Sequence, residues 1–199
     1  MNAHLGRSEY HGLQTGMTKR FSNRWQGSAT YTLSWLYNAD TKPFSGLKQL
    51  TFPTAPDLGG EWGLSADDQR HRMVLNGIWQ VGGGFQVSGL HYLGAGIRQG
   101  NNYGGDLRVT GGTFSARLRP NGTIVERNSL IAPAQNRTDL RLQQRIPLHG
   151  RASIDGIAEV FNLFNRPNWG IGIQESSPTY LQHTSAQVRT MQFGFRLTF

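Results

Sequence analysis

Polar and apolar residues alternate along most of this chain with a period of two, which is typical of strands with one wet and one dry face. In the last segment, residues 191–199, every second residue is apolar, and the residues between them are polar or glycine. Six further segments carry the same alternation: 10–21, 25–37, 69–81, 85–95, 137–148 and 151–164. Helical periodicity is nearly absent. The sequence therefore predicts an all-β chain with about seven long strands.

The connections between these segments alternate between short and long. Short turns occupy residues 22–24, 82–84 and 147–150, whereas the connections 38–67, 96–136 and 165–184 are about thirty, forty and twenty residues long. A transmembrane barrel has this alternation because its periplasmic turns are tight and its extracellular loops are long. Within the longest loop, Asn121-Gly122 favours a hairpin tip with a type I′ turn.

Strand length and aromatic placement decide which face is dry. Ten residues span ~33 Å, and a tilt of ~40° projects this to ~25 Å, the height of an outer-membrane apolar band. Aromatic residues stand near strand ends, where a membrane-interface girdle would lie: Trp25, Trp35, Tyr37, Trp79 and Phe199. Both features predict an antiparallel up-and-down transmembrane β-barrel segment with its apolar side facing lipid.

Composition narrows the class of protein further. The chain has 199 residues, enough for one domain, which we assign to residues 1–199 as the C-terminal part of an outer-membrane barrel. It contains no cysteine, which excludes a disulfide framework and thiol chemistry. No stretch approaches the ~18 apolar residues of a membrane helix, and the first ten residues lack the apolar core of a signal peptide.

The excess of positive charge has a structural interpretation. Lys and Arg number 20 against 12 Asp and Glu, a net charge of +8. Nucleic-acid binding would gather these residues on one patch with exposed aromatics. Instead, the alternation spaces arginines along the polar face, with Asp139, Asp155 and Glu159 beside them. We therefore predict a hydrated basic band facing the lumen, formed by Arg70, Arg72, Arg141, Arg145 and Arg196; attraction of anions into the lumen is an additional possibility.

No segment predicts catalysis, a metal site or a cofactor. Glu61, Asp67, Asp68 and His71 match no ligand spacing, so we interpret them as solvated loop charge. The run 82–84 is all glycine, but the segment after it alternates as a strand, whereas a phosphate-binding loop precedes a helix. No nucleophile-elbow sequence is present. We expect a protein that is not an enzyme and that uses no cofactor.

The end of the chain resembles the terminal assembly signal of bacterial outer-membrane barrels. Gln192, Gly194, Leu197 and Phe199 occupy its polar, glycine, hydrophobic and aromatic positions. Residues 158–165, Ala-Glu-Val-Phe-Asn-Leu-Phe-Asn, are similar to the penultimate strand of TonB-dependent receptors, and residues 10–14, 19–22 and 68–75 resemble the same family. The most similar group is the Oar-like receptors, which carry a carboxypeptidase-regulatory-like domain.

This resemblance implies energy-coupled uptake of a bulky ligand in the bacterial outer membrane. Its partners would be outer-membrane lipid, the barrel-assembly machinery, the rest of the receptor and, through the plug, the inner-membrane energy-coupling complex. Such receptors have a plug, a TonB box and a barrel of about 22 strands, so seven strands predict a fragment that is not active alone. An odd strand count, with Phe199 in the periplasm, would place Met1 outside the cell. A small self-contained structural or adhesin-like barrel and a soluble basic binding module are the alternatives.

Overall fold

The architecture is entirely β in a computed structural model that describes residues 7–39, 61–107, 109 and 116–199. Its strands, in chain order, are β1 (Ser8–Ser22), β2 (Trp25–Asn38), β3 (Gly63–Leu64), β4 (His71–Gly82), β5 (Phe85–Gly94), β6 (Arg98–Gln99), β7 (Leu130–Ile131), β8 (Gln135–Pro147), β9 (Ser153–Phe161), β10 (Trp169–Ile171), β11 (His183–Ala186) and β12 (Thr190–Thr198). Over these ranges, no helix is long and apolar enough to cross a membrane.

The seven long strands form one antiparallel up-and-down sheet. Their order is β1-β2-β4-β5-β8-β9-β12, and the short β3 pairs with the end of β2. All seven predicted segments are confirmed, with their ends shifted by a few residues. The shift is largest at β9, which ends at Phe161 because Asn162 takes a left-handed conformation with φ of 54°. Within the described residues the outer edges of β1 and β12 are unpaired, so the sheet is open.

Turn chemistry fits the short connections. Between β1 and β2, Asn23 and Arg24 have φ of 51° and 68°, the pattern of a type I′ turn. The turn between β4 and β5 requires glycine, because a Cβ at Gly84 would lie 2.2 Å from the carbonyl oxygen of Arg145.

The hairpin tip at Asn121-Gly122 is confirmed, but its predicted type I′ turn is wrong. Only Gly122 has a positive φ, of 82°. Its amide donates to the Arg119 carbonyl over 2.9 Å, and the Arg119 amide donates to the Thr123 carbonyl over 2.9 Å. This is a three-residue loop, in which a type I turn is followed by a left-handed glycine.

The distribution of burial is the reverse of that in a water-soluble domain. The buried apolar residues of the described part lie beyond the strands, at Ala39, Val125 and Ala132. Along the strands, large apolar side chains are exposed, including Phe193 at 81% and Phe195 at 84%. An apolar surface this extensive fits contact with lipid. The predicted long loops 38–67 and 96–136 lie partly outside the described residues.

Candidate functional site

Strand register separates the sheet into two chemically different faces, because directly paired residues point to the same side. One row of register partners runs Gln26, Ile78, Ser88, Arg141, Glu159 and Gln192. The adjacent row runs Gly27, Gly77, Gly89, Leu140, Val160 and Met191. The first, polar face lines a concavity of about 640 Å³, so it is the inner side of the curved sheet. We call it the luminal face and the other the outer face.

Charged side chains on β8, β9 and β12 form two rows across the luminal face. In the first row, Arg145 donates to both carboxylate oxygens of Asp155, over 2.7 and 2.9 Å, and Arg196 is the register partner of Asp155 on its other side. In the second row, Arg141 donates to Glu159 over 3.3 Å, and Gln192 donates to the other oxygen of the same carboxylate. Opposite charges that face one another across strands favour this register over a slipped one.

The other two arginines of the predicted basic band lie elsewhere. Arg72 is on the luminal face of β4, opposite Thr32 of β2, and takes part in no ion pair among the described residues. Arg70 precedes β4, where its guanidinium lies 4.7 Å from the ring centre of Trp35 and 3.4 Å from Asp68. The structure therefore brings Arg141, Arg145 and Arg196 together and places Arg70 at the loop end of the sheet.

The four residues of the predicted assembly signal divide between the two faces of β12. Gln192 and Gly194 are register partners of the luminal residues Glu159 and Ile157. Leu197 shares the outer face with Phe193 and Phe195, and Phe199 is 95% exposed at the turn end of the strand. This edge strand therefore offers one continuous apolar outer side and a free backbone edge.

A second luminal concavity of about 520 Å³ lies at the loop end. It is lined by Leu90, Tyr92, Gln135, Arg137, Asp139, Asn168 and Gln187. Its lining shares Leu90 and Asp139 with the larger concavity, so the two adjoin. Together they form one continuous luminal surface from the long loops towards the middle of the sheet, with polar side chains beside apolar ones such as Ile78, Leu90 and Phe161.

Buried ion pairs connect the long loops, and no local sequence pattern indicates them. Glu61 is 3% exposed, and its two carboxylate oxygens accept from the same nitrogen, Nη1 of Arg117, over 2.8 and 2.9 Å. Arg127 donates to the backbone carbonyls of Asn38 and Glu61, each over 2.6 Å. The interpretation of Glu61 as solvated loop charge is therefore wrong.

The interpretation of Asp68 as solvated loop charge is also wrong. Asp68 is 3% exposed, accepts the Leu36 amide over 2.9 Å, and lies 3.7 Å from the Arg98 guanidinium. Asp67 is exposed, as expected. The described ranges contain no cluster of acidic and histidine side chains arranged to hold a metal ion.

The third long loop is joined to the second by a bidentate pair. Arg119 donates to Glu175 over 2.6 and 2.7 Å. The hydrogen bonds from Arg119, followed by its positive charge, hold the pKa of the Glu175 carboxyl below its ordinary value. We call the side chains Glu61, Asp68, Arg98, Arg117, Arg119, Arg127 and Glu175 the loop network.

Two asparagines fix the base of the third loop. The buried Asn162 donates from its side chain to the carbonyls of Arg166 and Gln187, over 2.9 and 2.8 Å, and accepts the Arg166 amide over 3.0 Å. Asn165 accepts the Arg189 amide over 3.0 Å. Both have positive φ, which asparagine tolerates better than most residues. The sequence feature that could have predicted this loop base is the pair of asparagines, three positions apart, at the end of a strand.

An open antiparallel sheet with an apolar outer face, a polar luminal face, tight turns at one end and long loops at the other is the wall of a transmembrane β-barrel. Residues 1–114, more than half of the chain, match the family described as outer membrane beta barrel domain, and the chain belongs to that family. The protein therefore resides in the bacterial outer membrane, with its turns periplasmic and its loops extracellular. The comparison with curated proteins found no match.

Proposed function

We propose that this chain forms part of the barrel of a TonB-dependent receptor of the Oar-like group, which takes up a bulky ligand across the outer membrane. The observation that carries the proposal is the continuous concave surface on the luminal face, made by the two adjoining concavities from the extracellular loops downward. A purely structural barrel needs no such surface beneath its loops. The role is binding and passage of a ligand, with no catalytic step and no cofactor.

The open sheet supports a larger barrel around it. Six antiparallel pairings join the seven long strands, so β1 and β12 run in the same direction. Joining them to each other would create a parallel seam, whereas bacterial barrels are antiparallel with an even number of strands. An odd number of further strands is therefore required, and we propose that the remainder of the receptor supplies them. On this account the chain is inactive alone.

Arg196 indicates which kind of side chain should lie next to β12 in the complete barrel. Asp155 already receives two hydrogen bonds from Arg145, and Arg196 makes no hydrogen bond or ion pair with the described residues. A carboxylate on the adjacent strand or in the plug would neutralise this second arginine. The outer side of the same neighbour would be apolar, matching Phe193, Phe195 and Leu197.

The remaining partners follow from the same proposal. The barrel-assembly machinery would bind the terminal signal at Gln192, Gly194, Leu197 and Phe199, whose strand edge is free. Lipid would cover the outer face, and the inner-membrane energy-coupling complex would act through the plug. A role in nucleic-acid binding is not proposed, because Arg141 and Arg145 are engaged by carboxylates on the luminal face.

Photo-cross-linking from β12 tests the proposal. A benzophenone amino acid replaces Arg196 in the protein assembled in the outer membrane, and the cross-linked peptide is identified by mass spectrometry. We expect a peptide from another strand or a plug of the same receptor, with an acidic residue near the link. A cross-link to β1 of the same chain would instead establish a self-contained barrel and overturn the receptor proposal.

A further inference from the structure

The smaller luminal concavity has the properties of a binding site. Its volume of about 520 Å³ lies in the range of small-ligand pockets, roughly 300–1,000 Å³. Tyr92 reaches it from β5, Gln135 from β8, and Asn168 and Gln187 from the two sides of the third extracellular loop. It therefore sits where the barrel wall meets a loop that Asn162 and Asn165 hold in place.

The described residues of its lining carry no net charge. Arg137 donates to both oxygens of Asp139, over 2.8 and 3.0 Å, and one of these oxygens also accepts the Asn162 amide over 2.9 Å. The guanidinium and the carboxylate are thus occupied with each other. Since both charges are compensated, the cavity has no excess charge with which to select an anion or a cation.

Apart from Arg137 and Asp139, the polar groups of the described lining are mainly side-chain amides that are free to bind a ligand. The side chains of Gln135 and Gln187 make no hydrogen bond with the described residues, and the Asn168 amide nitrogen has only a 3.5 Å contact to the Arg166 carbonyl. The amides of Gln135 and Gln187 each offer two donor hydrogens and an acceptor oxygen. The Asn168 oxygen already accepts the Asn136 backbone amide over 2.8 Å, so Asn168 offers its donor hydrogens. Among the described lining residues, Leu90 is the one large aliphatic side chain.

We propose that this cavity binds a neutral, hydroxyl-rich ligand, an oligosaccharide. Sugar hydroxyls both donate and accept, so they match closely spaced amides and the polar edge of the Arg137–Asp139 pair. A peptide would need apolar pockets for its side chains, and in the described lining of this cavity only Leu90 and the ring of Tyr92 present apolar surface. This inference rests on the proposed receptor function and gives the ligand its chemical class.

A binding experiment on the protein purified from outer membranes tests this class. The probe is an array of neutral oligosaccharides printed beside acidic oligosaccharides and unmodified peptides. We expect retention on neutral oligosaccharides, and about fivefold weaker retention for Gln135→Ala and for Gln187→Ala, since each loses a hydrogen bond worth about 1 kcal/mol. Gln86→Ala is the control, because Gln86 is a luminal amide on β5 outside both concavities.

The outcomes decide between the ligand class and the receptor function. Retention only on acidic oligosaccharides or peptides, no retention on neutral ones, or retention by the two variants equal to that of the wild type would overturn the ligand class. Binding to purified protein needs no energy, whereas uptake by cells does. Neutral oligosaccharide that binds at Gln135 and Gln187 but enters cells equally well without the energy-coupling complex would refute the receptor function and leave the binding site intact.

Discussion

The sheet and the loops both bury charged groups, but they differ in where their apolar side chains lie, since the loops bury Val125 and Ala132. On the sheet, the outer face exposes Phe193 and Phe195, while the luminal Asp155 is completely buried. In the loop network, the charged Glu61 and Asp68 are buried and hold the loops by ion pairs and backbone hydrogen bonds. Lipid replaces a protein core for the sheet, so its stability depends on the membrane. The loops lie in water and carry their own polar core.

The largest effect is expected when a charge is placed on the outer face of a strand and compared with a charge on the luminal face of the same strand. Leu75 is on the outer face near the middle of β4, and the next residue, Asn76, is luminal. Leu75→Arg should cost about 2–4 kcal/mol near the bilayer midplane and remove most of the assembled protein, while Asn76→Arg should change assembly little. Heat-modifiability on gels and outer-membrane fractionation measure both. Equal assembly of the two variants would contradict the assignment of the faces.

The second prediction concerns the last residue and the amount of barrel that is assembled. Phe199 is exposed at the periplasmic end of β12, where an aromatic ring suits the membrane interface. Deleting Phe199 should lower the amount of assembled barrel several-fold. Thr198→Ala, which alters the luminal side next to it, is the control and should behave as wild type. The same fractionation measures both, and unchanged assembly after the deletion would argue against the terminal signal.

Removing an ion pair from the loop network should weaken the loops and leave the assembly of the sheet unchanged. Glu61→Gln removes the charge that Arg117 binds with two hydrogen bonds and should cost the loops about 2 kcal/mol, the scale of hydrogen bonds to charged groups. Protease added to intact cells should then cut the second loop several times faster, with assembly unchanged. Glu126→Gln, at an exposed neighbouring position, is the matched control. Loss of assembly in Glu61→Gln would show that the two regions are not independent.

The smallest effect is a dependence on pH at one connection of the loop network. Because the pKa of Glu175 is lowered by Arg119, its pairing is fully present above the ordinary pKa of glutamate and is lost as the pH falls through the lowered value. Hydrogen exchange at residues 173–176 should therefore increase in acid beyond its intrinsic trend. Glu175→Gln should abolish this dependence, and an unchanged profile in that variant would assign the transition to another group.

The same contrast explains how far sequence reasoning reached. Alternation with period two is a local pattern, so residues 25–37 or 191–199 reveal both the strand and its two faces. Long-range contacts leave no local trace: Glu61 meets Arg117 across 56 positions, as does Arg119 with Glu175. Arg70 fits the alternation but turns to Trp35 and Asp68, because the strand begins only at His71. That Arg137 and Asp139 neutralise each other's charge could be seen only from the positions of their side chains.

The most direct measurement of the central claim is a single-cysteine scan across the middle of β8. The natural chain has no cysteine, so each substitution at Leu140, Arg141, Leu142 and Gln143 adds a unique probe. In native outer membranes, we predict that a water-soluble maleimide modifies positions 141 and 143. The fluorescence of labels attached at 140 and 142 should be quenched by spin-labelled lipid. The reverse alternation, or uniform reactivity at all four positions, would contradict a barrel wall whose outer face meets lipid.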